Sequence, residues 1–337
     1  MKNILVTGGL GFIGSHTVVE LFNQGYNPII VDNLSNSTEE VLDRLEQITG
    51  VSFLYLKENL ANYESIKKIF RDNKIDGIIH FAASKAVGES VEKPLLYYEN
   101  NLVSLLNLLN LSGEFNVSNF IFSSSCTVYG QPDKLPVDES FPKLPAESPY
   151  GNTKQIGEEI IEDYCYSNRE FKAISLRYFN PIGAHETALI GELPLGVPNN
   201  LVPFITQTAA GIREKLNVFG GDYDTPDGTC IRDFIHVVDL AKAHVAALEY
   251  VEEMPENYDV FNVGTGNGYS VLEAIKSFEK VSGINLNYEI VDRRPGDIEK
   301  IYADTKKVNG VLGWKAERDL DDMMKSAWKW QKSLQKN

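Results

Sequence analysis

The sequence predicts an α/β protein built on a doubly wound parallel sheet, followed by a smaller, mixed α/β part. Three observations carry this. Short, nearly continuous apolar runs alternate with helical patterns through the first half of the chain. A cluster of glycines, Gly8, Gly9, Gly11 and Gly14, sits between the first such run and the first helical pattern. After about residue 180 the texture changes to loops rich in glycine and proline.

The runs at residues 3–7, 28–32, 52–56, 77–81, 119–123 and 172–177 read as strands. They lack the apolar/polar alternation of a half-solvated strand, so both faces of the sheet are expected to be covered. Helical spacing at 15–24, 38–48, 63–72 and 95–111 supplies the cover, and Gly25 closes the first helix as a C′ residue. Right-handed crossovers then place helices on both faces. Further on, 234–250 is predicted as a helix and 259–263 as a strand that rejoins the first sheet. The expected division is therefore interleaved. Residues 1–180, rejoined by about 233–265, form the first domain, and 181–232 with 266–337 form the second.

A length of 337 residues fits about two domains. Lys and Arg number 32 against 47 Asp and Glu, a net charge of −15. Such a chain does not coat nucleic acid or an anionic membrane, so neither is an expected partner. An anionic ligand would have to meet positive charge supplied locally. Cys126, Cys165 and Cys230 are odd in number and widely spaced, which is no disulfide framework and points to a reducing, cytoplasmic setting. The apolar run at the start is too short for a signal peptide, and no 18-residue apolar stretch exists to span a membrane.

Gly8, Gly11 and Gly14 satisfy G-x-x-G-x-x-G, and Gly9 adds G-x-G-x-x-G. Glycine at these positions lets the backbone turn sharply and lets a pyrophosphate approach a helix N-terminus. Placed between strand and helix, the pattern predicts a dinucleotide site. Asp32 ends the second strand, 18 residues after Gly14. A carboxylate there accepts from ribose hydroxyls and repels a 2′-phosphate, which selects NAD over NADP.

Tyr150 and Lys154 stand one helical turn apart, with Ser148 as N-cap and Pro149 as first helical residue. An ammonium near a phenol is expected to lower the phenol's pKa towards neutrality and make it a general base. Tyr63 with Lys67 and Tyr302 with Lys306 share the spacing. Only Tyr150 follows a Ser123-Ser124-Ser125 run at the C-terminal end of a buried strand, the edge where such sheets bind ligands. Ser125 is the expected donor to a substrate oxygen. The predicted catalytic set is Ser125, Tyr150 and Lys154.

These motifs resemble the extended short-chain dehydrogenase/reductases. Asp32-Asn33-Leu34-Ser35-Asn36-Ser37, the stretch from His80 to Ser90, Arg177-Tyr178-Phe179-Asn180-Pro181, Pro198-Asn199-Asn200-Leu201 and Arg232-Asp233-Phe234-Ile235-His236-Val237 narrow the resemblance to the UDP-glucose 4-epimerase family. It covers nearly the whole chain. It implies a Rossmann sheet and tightly held NAD that is regenerated at each turnover. The implied reaction interconverts UDP-glucose and UDP-galactose through a transient 4-keto sugar, with Tyr150 as base.

Position by position, the resemblance implies NAD contacts at Gly8, Gly11, Phe12, Ile13, Gly14, Asp32, Asn33, Leu34, Ser35, Asn36, Ser37, Asn59, Leu60, Phe81, Ala82, Ala83, Lys85, Asn100, Ser125, Tyr150, Lys154 and Phe179. It implies UDP-sugar contacts at Lys85, Ser125, Tyr150, Asn180, Asn199, Asn200, Leu201, Asn217, Val218, Phe219, Arg232, Arg294, Asp297 and Ile301. Arg232 and Arg294 suit a diphosphate, being planar forks. The family also implies a homodimer formed by helices near the leucine-rich 95–111 segment. Three positions depart from its pattern: Asn59 replaces an aspartate, Phe234 a tyrosine, and Ile301 is intermediate between the bulky and small residues that go with plain and N-acetylated hexoses.

Other readings are weaker. A 4,6-dehydratase needs an Asp-Glu pair after the threonine that follows the serine run, and here Val128-Tyr129 follows Thr127. A UDP-N-acetylglucosamine or UDP-pentose 4-epimerase differs only in the sugar pocket. An NAD-sensing regulator without chemistry predicts loss of Tyr150 or Lys154, and both are present. No G-x-S-x-G elbow, P-loop or H-E-x-x-H occurs. The five histidines show no ligand spacing, and Asp222, Asp224 and Asp227 are broken as a calcium loop by Pro226, so no metal is expected.

Overall fold

The computed structural model describes residues 1–294 and 297–335. The first half alternates as expected: β1 (Asn3–Thr7), α1 (Phe12–Asn23), β2 (Asn27–Asp32), α2 (Glu40–Thr49), β3 (Leu54–Lys57), α3 (Tyr63–Asp72) and β4 (Gly77–His80). Helices α4 (Val87–Glu92), α5 (Pro94–Tyr98) and α6 (Ser104–Phe115) follow, then β5 (Asn119–Ser125), α7 (Pro149–Ser167), β6 (Lys172–Tyr178) and β7 (Asn180–Ile182). The remainder comprises α8 (Leu201–Ala209), β8 (Leu216–Phe219), β9 (Ile231–His236), α9 (Val237–Glu253), β10 (Tyr258–Val263), β11 (Gly268–Ser270), α10 (Val271–Ser282), β12 (Tyr288–Val291), β13 (Lys300–Ile301), α11 (Lys306–Val311) and α12 (Leu320–Leu334).

Seven strands form one parallel sheet in the order β10-β6-β5-β4-β1-β2-β3. The strand at 259–263 does rejoin the first sheet, beside β6. Alternate residues feed the two faces. Ile4, Val6 and Ile30 pack with Val18, Leu21, Leu240 and Leu248 of α1 and α9. Leu5, Ile29 and Val31 pack with Ile66, Phe70, Leu105, Leu108 and Ile161 of α3, α6 and α7. Burial on both faces explains the unbroken apolar runs. The order reverses between β1 and β4, and a doubly wound sheet opens its ligand crevice at that point. A further core gathers Val202, Ile205, Val218, Phe234, Ile275, Phe278 and Met324 around the short strands of the second half.

Two predicted helices are corrected. The segment 95–111 is not one helix: α5 begins at Pro94, and a π-helical turn, Glu99–Val103, separates it from α6. The helix placed at 234–250 begins only at Val237, because Arg232–His236 pairs as strand β9 with β7, β11 and β13. Phe234 is therefore a buried strand residue. Asn337, where the second predicted domain ends, lies outside the described residues.

Candidate active site

The glycine loop is built for close approach. Gly8 has φ +70°, and a Cβ on it would meet the Ala82 backbone nitrogen at 2.8 Å. A Cβ on Gly14 would stand 2.2 Å from the Gly8 carbonyl oxygen. Only glycine fits either position. Gly11 caps α1 without a side chain, and the first turn carries no acid, so the helix N-terminus faces the crevice with its amides free of side-chain caps. Asp32 ties the loops together. Its carboxylate accepts from the Leu10 amide at 3.1 Å, the Leu34 amide at 2.9 Å and the Ser37 hydroxyl at 2.8 Å. Leu34 sits at φ +60° in that turn, a strained conformation for a non-glycine residue.

One cleft of about 930 Å³ opens over this edge of the sheet. Of the residues expected to hold NAD, all but Leu34, Ser125 and Phe179 line it. Phe179 is instead buried in an apolar cluster with Cys126, Tyr129 and Ile301. The cradle that any Cβ would fill, the uncapped helix start and the carboxylate at the end of β2 fit a dinucleotide.

Tyr150 and Lys154 reach the same cleft from α7, whose first turn is capped by the Ser148 hydroxyl accepting from the Gly151 amide at 3.2 Å. Lys154 is buried. Its Nζ donates to the Ser123 carbonyl at 2.6 Å and lies 5.9 Å from the centre of the Tyr150 ring. Ser125, at the end of β5, accepts from the Thr127 amide at 3.2 Å. The expected lowering of the phenol is not what the structure shows. Burial pushes Tyr150 up to about 12, with the Ser125 hydroxyl pulling against it. Burial likewise pushes Lys154 down to about 7, opposed by the Glu158 carboxylate. Desolvation is the largest cause at both groups, which are cut off from water. The other Tyr/Lys pairs lie outside the cleft: Lys67 pairs with Glu114 and Lys306 with Asp304.

The expected UDP-sugar residues divide. Lys85, Tyr150, Asn199 and Asn200 line the cleft. Asn180, Leu201, Asn217, Val218, Phe219, Arg232, Arg294, Asp297 and Ile301 do not. Asn180 opens β7 and Leu201 opens α8, while Asn217, Val218 and Phe219 lie on β8. Arg294 lies over the Phe219 ring at 5.4 Å and donates to Asp297 at 2.7 Å. Arg232 of β9 donates to the Ile231 carbonyl at 2.9 Å and faces Ile301 of β13 in register. Ile301, expected beside the sugar as a gate, is 2 % exposed and part of the apolar cluster around Cys126.

Several residues of the site escape motif reading. Tyr178 lines the cleft with its hydroxyl buried and unpartnered. Asn101 is turned inward by the π-helical turn, donating to the Ser84 carbonyl at 3.1 Å and the Thr153 hydroxyl at 3.0 Å. Glu192 accepts from Asn200 at 2.5 Å and lies 3.4 Å from the Lys85 ammonium. Tyr178 directly follows Arg177 in the Arg177–Pro181 stretch, so its place at a strand end is a usable signal. Asn101 and Glu192 depend on a helix irregularity and a loop path, which no spacing rule reports.

The profile of the family described as GDP-mannose 4,6 dehydratase matches residues 5–327. A UDP-glucose 4-epimerase of Dictyostelium discoideum is 51% identical over 328 residues, 97% of this chain and 95% of that protein. One of Bacillus subtilis is 51% identical over 330 residues, 98% of this chain and 97% of that protein. This chain belongs to the UDP-glucose 4-epimerase family. The crystal structure of the Bifidobacterium longum UDP-glucose 4-epimerase in complex with NAD+ and UDP superposes with a TM-score of 0.95 at 49% identity, covering 98% of each chain. Within the wider family, the two residues after Thr127 set a UDP-glucose 4-epimerase apart from a dehydratase. Val128 and Tyr129 are both buried here, and neither is a carboxylic acid.

Proposed function

We propose that this protein is an NAD-dependent UDP-glucose 4-epimerase that interconverts UDP-galactose and UDP-glucose. The observation that carries this is the meeting of a dinucleotide cradle with Tyr150, Lys154 and the serine run at one sheet edge. NAD, when bound, supplies the hydride acceptor and donor and, when oxidised, a positive charge that favours phenolate. Tyr150 takes the proton of the sugar 4-hydroxyl at its phenol oxygen and returns it. Ser125 donates to the same sugar oxygen. Lys154, fixed by the Ser123 carbonyl, places its amino group one turn from the phenol, where its protonated form would favour phenolate. Arg232 and Arg294, with Asn217 to Phe219, meet the UDP portion when the two halves of the chain close on it. Residues 1–180, rejoined by about 233–265, act as the NAD domain, and 181–232 with 266–337 as the UDP-sugar domain.

The protein acts as a homodimer in the cytoplasm. Val91, Leu95, Leu96 and Leu106 are exposed apolar side chains on α4 to α6, with Leu95 79 % exposed, and support a helical interface there. The three cysteines are free and buried, which supports a reducing compartment. Among the described residues, no helix is long and apolar enough to cross a membrane. A second reading, turnover of N-acetylated UDP-hexoses, is favoured by Ile301, which is smaller than a tyrosine at the position expected beside the sugar. Purified protein given UDP-galactose without added NAD tests the function: UDP-glucose is expected to form until the two sugars equilibrate, and no conversion would refute it.

A further inference from the structure

Helix α7 carries Tyr150, Lys154 and Glu158 at successive i, i+4 steps, so the three share one stripe. Gly157 lets this stripe approach β5, since a Cβ there would stand 2.8 Å from the far edge of the Phe122 ring. Glu158 is 0 % exposed, and a buried carboxylate requires partners. It has them from three directions. Arg177 of β6 grips it with both arms, Nε to Oε1 at 2.8 Å and Nη2 to Oε2 at 2.7 Å. Lys143, in the segment before α7, lies at 3.3 Å. The Ser124 hydroxyl of β5 donates to it at 2.6 Å.

The Ser124 bond is the informative one. The Arg177 fork already neutralises the carboxylate, yet a further bond joins it to the middle of the serine run. On one side of Ser124 is Ser123, whose carbonyl receives Lys154. On the other is Ser125, the expected donor to the sugar. Behind Arg177 the network continues to the Tyr129 hydroxyl at 2.9 Å and from there to Asn262 of β10 at 2.6 Å.

We propose that Glu158 is a positioning residue for the reaction: held by Arg177, it grips Ser124 and so fixes the Ser123–Ser125 segment against the Tyr150–Lys154 face of α7. The proposal rests on the epimerase reading above. The titratable groups around Glu158 include Arg177 on β6, Lys143 before α7, Tyr258 on β10, Tyr129 behind Arg177 and Lys154 on α7 itself, and Asp138, Glu139, Glu162, Asp259 and Lys307 line the same pocket. Burial works to raise Glu158, but Arg177, Ser124 and Lys143 together hold it below the usual carboxylate range. It is therefore ionised at neutral pH, and its charge opposes the loss of the Lys154 proton that burial promotes.

The test is Ser124→Ala in the NAD-loaded enzyme, which cuts the link and leaves the Glu158–Arg177 pair intact. The variant is expected to keep its NAD and its KM for UDP-galactose within about twofold. Its kcat is expected to fall about tenfold, with the acid limb of the kcat–pH profile moved to higher pH as Ser125 loses its fixed place beside Tyr150. Glu158→Gln, which keeps an acceptor for Ser124 but removes the charge, is expected to move the same limb through Lys154. If Glu158→Gln does not fold, Ser124→Ala decides alone. A kcat within twofold of the parent, or a loss uniform across pH with the limb unmoved, would overturn the proposal. A parent that turns over no UDP-hexose would instead refute the function on which the proposal rests.

Discussion

Burial above all holds the Tyr150 phenol protonated, pushing it up to about 12. The proposed role as base would therefore depend on positive charge brought close to it, by Lys154 and by an oxidised nicotinamide. Tyr150→Phe is expected to retain NAD and to lose roughly 10²–10⁴-fold in kcat, read from single-turnover and steady-state rates. Near-parent turnover would remove Tyr150 as the base. The i, i+4 spacing and the serine run made this pair legible in the sequence. The direction of its pKa was not, because desolvation is a property of the packed site and not of spacing. Ile301 is a similar case. The residue was expected beside the sugar, but it does not line the cleft, and it lies 2 % exposed within the Cys126 cluster, on β13 paired with β9. The kcat/KM for UDP-galactose is expected to exceed that for UDP-N-acetylgalactosamine, with measurable turnover of both, and a strong N-acetyl preference would reverse the assignment.

The strands and helices of the first half follow from burial on both faces of the sheet, and their bounds are close to those read from apolar runs. β9 was missed because Arg232 and Asp233 interrupt its apolar pattern. Asp233 has a structural reason to be there: its carboxylate, fully buried, accepts from Thr265, Gly266 and Ala303. The break at Glu99–Val103 was missed because a π-helical turn adds one residue without altering composition. The turn from β1 to α1 was legible, since its glycines answer to steric need. Gly14→Ala puts a methyl 2.2 Å from the Gly8 carbonyl, so the loop must open. The variant is expected to purify with at least about tenfold less NAD, measured by release on denaturation, because the amides no longer converge on the pyrophosphate. Full occupancy would contradict the role given to the loop.

At the scale of the molecule, the net charge of −15 says nothing of the cleft, where glycine amides and Lys154 supply local positive potential. The buried histidines contribute to the acid response. Burial pushes His16, His80 and His236 down to about 3 and His244 to about 4. Between pH 6.5 and that range the unfolded chain binds more protons than the folded one. Stability therefore rises with pH across the window and is lost as pH falls, whereas above 6.5 these groups contribute nothing. Near pH 5 four such groups imply a slope of roughly 5 kcal/mol per pH unit. The Tm is expected to fall steeply from pH 6.5 to 5 and to fall less steeply in His80→Gln; parallel curves would assign the acid response elsewhere. If the protein is the proposed homodimer, Leu95→Glu, on the exposed apolar face, is expected to shift it to a monomer by light scattering, and an unchanged mass would contradict an interface there. The most direct measurement of all uses UDP-galactose deuterated at sugar C4. If, as proposed, the hydrogen removed from C4 is the one returned to it, the UDP-glucose formed is expected to carry deuterium at C4 with inverted configuration, and product bearing solvent hydrogen there would contradict the proposed mechanism.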